Sequence, residues 1–209
     1  MMRLVARGTQ VLNRNYGSYK MSSATQSLGS SLALTPGRWP IDPNHSAITF
    51  SSRFLGLSKV RGRFRVFDVS LDVGPSGTEF EVEASIDLAS IDTSIPRRDA
   101  HLRTADYFHV DEHPRMTFRS TRIETVGDGY TMSGDLTLKG VTRAVTLAVR
   151  SDGLAASPDG RTRFVLTATG ELRRTDLDFG LKPLGLDRLI LADKVAFELD
   201  MQFVRPSVA

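Results

Sequence analysis

Four histidines, His45, His101, His109 and His113, are the residues best suited to proton transfer or metal ligation in this chain. The densest polar cluster surrounds one of them: Arg97, Asp99, His101, Arg103 and Asp106. An aspartate two residues before a histidine could orient it as a general base. The arginines could instead hold an anionic group through paired N–H donors. A plainer reading has these charges pin a helix onto its neighbours. No nucleophile stands out beside the cluster, so acid–base catalysis is the least favoured of the three. His109 and His113 are four residues apart, with Asp111 and Glu112 between them, and on a helix they could share a metal. Pro114 follows directly and the segment lacks a zincin-type pattern, so they are read as loop histidines with no metal. There is no cysteine, which removes disulfides, thiolate metal sites and cysteine nucleophiles. Gly180 to Gly185 lacks the Lys-Ser/Thr ending of a phosphate loop, and no cofactor is expected. Asn44-His45-Ser46 is a glycosylation sequon, meaningful only in a secreted eukaryotic protein.

The elements that must frame these residues are strands. From Trp39 onward the dominant signal is alternation with period two. Phe80, Val82, Ala84, Ile86 and Leu88 face one way, and Glu81, Glu83, Ser85 and Asp87 the other. Tyr130–Lys139 and Val195–Phe203 read alike, and five further runs follow the rule: 47–55, 59–73, 115–123, 143–150 and 163–172. Such strands bury one face and wet the other, as antiparallel sheets do. Within 59–73 the phase flips, from Val60, Phe64 and Val66 to Val69, Leu71 and Val73, which predicts a bulge or bend near Phe67–Asp68. Ser94–His113 suits one or two helical turns, with a short helix expected near 96–106 and Pro96 at its start. Asp176–Asp193 is expected to cross a barrel end. The fold class is therefore all-β: an eight-stranded antiparallel lipocalin-like β-barrel, closed so that no edge is left exposed. A barrel of that size either fills itself or holds one small ligand. Ser52, Gly62, Ala84, Ser120, Gly134, Ala168 and Gly170 are small and inward-pointing, which favours an open lumen, although any one glycine could equally mark a close approach of strands.

Charge excludes one class of partner. The chain has 209 residues and a formal net charge of +3. Five basic and no acidic residues lie in 1–38, leaving 22 basic against 24 acidic in the rest, a net of −2. No clustered basic face remains to bind nucleic acid. Residues 1–38 are read as a disordered segment preceding a barrel domain at 39–205. The segment has no apolar core of signal-peptide length, and its Arg-containing, acid-free bias is weakly like a transit peptide. A mis-assigned start, with Met21 as the true one, is the plainer alternative. No apolar run is long enough for a transmembrane helix, and a cytoplasmic location is expected.

Several motifs together resemble one family. They are Ile41-Asp42 with His45-Ser46, Gly56–Phe64, Ser90-Ile91-Asp92-Thr93, Arg98–Phe108, His113-Pro114 with Thr117–Thr121, and Gly134–Thr142. In this order, from Trp39 to about Phe203, they resemble the YceI-like polyisoprenoid-binding family. The resemblance implies a lipocalin-like barrel that takes an isoprenoid chain, such as a polyprenyl phosphate or a quinone tail, into its lumen. It also implies frequent homodimers and no established catalysis. Phe54 departs from the pattern, standing where relatives often place a histidine. The expected tail-lining residues are Phe50, Phe64, Ile86, Phe118, Leu136, Phe164 and Phe197. The expected head-group residues are Arg98, Asp99 and His101. Two rival readings are an enzyme acting on a lipid phosphate through Asp99 and His101, and a filled barrel serving as a protein-interaction module.

Overall fold

The structure is a computed structural model that describes residues 33–54, 58–177, 179 and 191–206. Residues 1–32 and most of the expected crossing at Asp176–Asp193 lie outside this range. Eleven strands occur among the described residues: β1 (Gly37–Pro40), β2 (Ala47–Phe54), β3 (Ser58–Phe64), β4 (Phe67–Val73), β5 (Phe80–Asp87), β6 (Ile91–Asp92), β7 (Arg115–Val126), β8 (Gly129–Leu138), β9 (Val141–Ala156), β10 (Thr162–Arg173) and β11 (Leu191–Val204). One α-helix, α1 (Pro96–Arg103), lies between β6 and β7. All strand pairs are antiparallel, in the order β1-β4-β5-β7-β8-β9-β10-β11-β2-β3-β6. The all-β, barrel-like class read from the alternation is correct, and the strand count is not.

The three extra strands have identifiable causes. β1 and β6 are short edge strands of four and two residues, too brief to show alternation. The third comes from the run 59–73, which is two strands. Of the two readings of its phase flip, the bend is correct, at Arg65–Val66 rather than Phe67–Asp68, and the bulge is not. The chain leaves the sheet at Arg65–Val66 and re-enters beside different neighbours: β3 pairs with β2 and β6, whereas β4 pairs with β1 and β5. Val66, an inward residue by pattern, is 57% exposed at this corner. True register shifts occur elsewhere, at Ser120/Arg122 between β7 and β8 and at Val165/Leu166 between β10 and β9. At the first of them the Ser120 hydroxyl accepts from the Val82 amide (2.8 Å), satisfying a buried donor on β5.

The sheet curls until its two halves meet along β1. Ile41 bridges to Phe203 of β11, while its amide donates to Val69 O of β4 (3.1 Å). The next amide, of Asp42, donates to Gln202 O (2.7 Å). Trp39 plugs this seam at 1% exposure, its indole N–H donating to Thr35 O (2.8 Å). Leu34 is also buried, its amide bonded to Gly77 O, so ordered packing begins ahead of Trp39.

An ionic clamp lies beside the seam. The Arg163 guanidinium, nearly buried at the start of β10, spans Asp159 (3.0 and 3.1 Å) and Asp42 (2.9 and 3.2 Å). Asp42 also accepts from Asn44 N and faces His45 Nδ1 at 3.1 Å. Burial raises the Asp42 pKa, but the bonds from Arg163, His45 and Asn44 outweigh it and hold the carboxyl below its ordinary range. Asp159 is lowered too, chiefly by Arg163. A carboxyl whose pKa is depressed by folding stabilises the native state above its unfolded value and loses that contribution as it is protonated. Urea midpoints are therefore expected to be flat near neutrality and to fall as pH drops below about 4. Asp42→Asn should already be less stable at pH 7 and show a shallower acid drop; an equally steep drop would mean the clamp does not contribute.

Candidate functional site

The barrel encloses space. One chamber of about 130 Å³ is walled by side chains from β2, β4, β5 and β7 through β11. Its polar-bearing members are Tyr130, Ser151 and Glu171, and the rest are apolar. A second chamber of about 390 Å³ is lined by Ser52 of β2, Ser58 of β3 and side chains of α1. Met116, Leu172 and Phe197 belong to both walls, so the two chambers are neighbouring parts of one lumen. The interior is not filled.

All seven expected tail-lining residues point into this space. Ile86, Phe118, Leu136 and Phe164 line the inner chamber, Phe50 and Phe64 the outer one, and Phe197 stands between. The small residues divide into groups that the sequence did not separate. Ala84 and Ala168 line the inner chamber, and Ser52 lines the outer one. Gly62, Gly134 and Gly170 do not widen the lumen. A Cβ at Gly62 would lie 2.3 Å from the Phe50 ring, at Gly134 2.4 Å from Phe118, and at Gly170 2.4 Å from Leu147. Each glycine is the floor on which a large side chain of the adjacent strand lies, so the close-approach reading applies to all three.

The outer chamber differs from the inner one in chemistry. Thr93, Arg98, His101, Tyr107 and Arg174 join its wall. A chain of ring contacts lines it: Phe50–Phe64 (centroids 5.5 Å apart), Phe64–Phe108 (6.0 Å), Phe108–Phe179 (4.5 Å), Phe179–Tyr107 (5.9 Å) and Tyr107–His101 (5.0 Å). The helix that delivers Arg98 and His101 begins at Pro96 and stops at Arg103, three residues short of expectation, because Thr104 turns extended and its amide closes on His101 O.

Asp99 is not placed for catalysis. It is buried, and its carboxylate accepts from the amide and hydroxyl of Thr93. Arg98 donates to the same threonine, Nε to Oγ1 (2.7 Å) and Nη2 to the carbonyl (2.8 Å). Arg103 reaches Ala89 O (2.8 Å) and Ile91 O (3.0 Å). The cluster thus pins α1 to the β6 edge, through backbone carbonyls and a shared threonine rather than ion pairs. The carboxylate facing His101 Nε2 belongs to Asp106, at 3.4 Å. Of the three head-group candidates, Arg98 and His101 line the chamber and Asp99 does not. The Phe54 side chain lies outside the described residues.

Sequence reasoning missed Arg174. It is 2% exposed, lines the outer chamber, and donates through Nε to Ala192 O (3.0 Å). A signal was available. Phe164, Leu166, Ala168, Gly170 and Leu172 set the inward phase of β10, and one more step of two gives Arg174.

A barrel with an apolar lumen and a basic, aromatic outer chamber can be compared with known proteins. The family model for the YceI-like domain matches residues 39–203. The chain belongs to the YceI-like domain family. A UPF0312 protein of Photorhabdus laumondii is 36% identical over 140 residues, 66% of this chain and 73% of that protein. Among solved structures, Burkholderia cenocepacia BcnA superposes with a TM-score of 0.69 at 22% identity, covering 78% of this chain and 98% of that one. A polyisoprenoid binding domain from Saccharophagus degradans, implicated in plant cell wall breakdown, superposes with a TM-score of 0.59 at 20% identity, covering 80% and 98%.

Proposed function

We propose that this YceI-like protein is a non-catalytic carrier or store for an isoprenoid-type lipid, such as a polyprenyl phosphate or a quinone tail. The observation that carries the reading is the polarity gradient of the lumen, from an inner chamber walled almost wholly by hydrocarbon to an outer one bearing Arg98, His101 and Arg174. The tail occupies the inner chamber against Ile86, Phe118, Leu136 and Phe164 and passes Phe197 into the outer one. Removing apolar surface from water contributes about 25 cal/mol per Å², so affinity comes from tail length and tolerates variation in it. An anionic head group at the outer end would sit against the guanidinium groups of Arg98 and Arg174. Similarity to the Saccharophagus degradans polyisoprenoid binding domain supports the same class of guest.

The test is native mass spectrometry on protein purified without detergent, with titration of a fluorescent prenyl probe. A co-purifying lipid adduct, or saturable probe binding that a polyprenyl phosphate displaces, is expected. Neither adduct nor binding would defeat the reading. Turnover of a lipid phosphate that His101→Ala abolishes would favour an enzyme instead.

A further inference from the structure

We propose that His109, Glu112 and His113 form a binding site for one divalent transition-metal ion of the zinc class. One ligand atom from each of the three side chains lies within 4.8 Å of the others. His109 Nδ1 stands 3.3 Å from Glu112 Oε2, and His113 Nε2 stands 3.9 Å from the same oxygen. In tetrahedral zinc sites the metal–ligand bonds are about 2.0–2.1 Å, which separates neighbouring ligand atoms by roughly 3.3 Å. The first pair is already at that spacing, and the others need small side-chain rotations. Two imidazoles and one carboxylate are donors that zinc accepts, and three protein ligands leave a fourth position for water.

The backbone is built to make this meeting happen. Four-residue spacing brings two histidines together on a helix, and Pro114 argues against a helix here. The structure uses a tight turn instead. His109 has φ +52°, the left-handed region that few non-glycine residues enter. In that conformation its carbonyl accepts from both the Glu112 amide (3.1 Å) and the His113 amide (2.8 Å). The chain doubles back, and the two imidazoles come to 6.0 Å between centroids. A strained position maintained by its surroundings is a reason to look for a function there. The imidazole side chains are 29% and 33% exposed and the carboxylate 67%, so the donors are partly preorganised while the open position faces solvent. Nothing in the lipid-binding reading uses these residues. The site is nonetheless one residue from the lumen wall, since Phe108 packs on Phe64 and Phe179.

The experiment is a zinc titration of the full chain, free of any affinity tag, in competition with a chromophoric chelator at neutral pH. One equivalent of zinc should bind, and cobalt(II) in its place should give the intense visible bands of a four-coordinate ion. His109→Asn keeps a residue that tolerates the left-handed turn, and His113→Gln keeps the side-chain volume roughly constant. Losing even an outer-shell partner typically weakens metal binding by about 10–100-fold, so each variant should cost at least about tenfold. Circular dichroism and prenyl-probe binding should be unchanged in both, which keeps this test separate from the lipid reading. Absence of saturable zinc uptake would overturn the proposal, as would uptake that the double variant retains.

Discussion

Gly134→Leu is expected to destabilise the barrel itself, not merely to narrow its lumen. Gly134 sits on β8 opposite Ser120, and the Phe118 ring of β7 is laid across it. A Cβ would stand 2.4 Å from Phe118 Cζ and 2.5 Å from the carbonyl oxygen of Arg119. The ring could swing away, but the oxygen is part of the β7 backbone and cannot. Forcing extra carbon into a packed site costs about 1–3 kcal/mol and sometimes more. Total stability of an ordinary domain is about 5–15 kcal/mol, so the loss is a large share. A urea denaturation series on Gly134→Ala and Gly134→Leu should show a fall at alanine and a larger one at leucine. Unchanged midpoints with weakened lipid binding would mean that Gly134 faces free space and that the close contact is not a constraint.

Ala168→Phe is expected to give the opposite result, a folded protein that no longer takes up a prenyl chain. Ala168 is the small residue of β10 that does line the inner chamber, between Val149 of β9 and Leu199 of β11. Its added ring would enter the chamber, where the tail is proposed to lie. Saturable binding of the fluorescent prenyl probe should be lost, while the circular dichroism spectrum keeps its strand signature. Ala84→Phe, from the opposite wall on β5, is the control for a local folding failure. If either variant folds and binds the probe as tightly as the parent, the tail does not occupy the inner chamber.

These two residues show where reading along the chain succeeds and where it stops. Both Gly134 and Ala168 are small and inward by alternation, and that much follows from one strand at a time. Successive side chains on an extended backbone point to opposite faces, so the all-β class and the lumen-lining side chains were legible locally. Even Arg174 was within reach by one further step of the β10 phase. Whether a small inward residue opens a lumen depends on what the neighbouring strand lays over it. Phe118 over Gly134, Phe50 over Gly62 and Leu147 over Gly170 are consequences of the register in which consecutive strands pair.

The same distinction governs the polar residues. A break at Arg65–Val66 and a bulge give the same phase flip along the chain, and they differ only in which strands the two halves join. Asp99 and His101 are close in sequence, yet Thr93 takes the first and Asp106 faces the second. His109 and His113 converge through a left-handed turn that no helical periodicity describes. Alternation is a property of each backbone segment and is written in residue type. Strand register, the closing of the sheet and the partner of each charge are settled by contacts between segments, and these exist only once the barrel has formed.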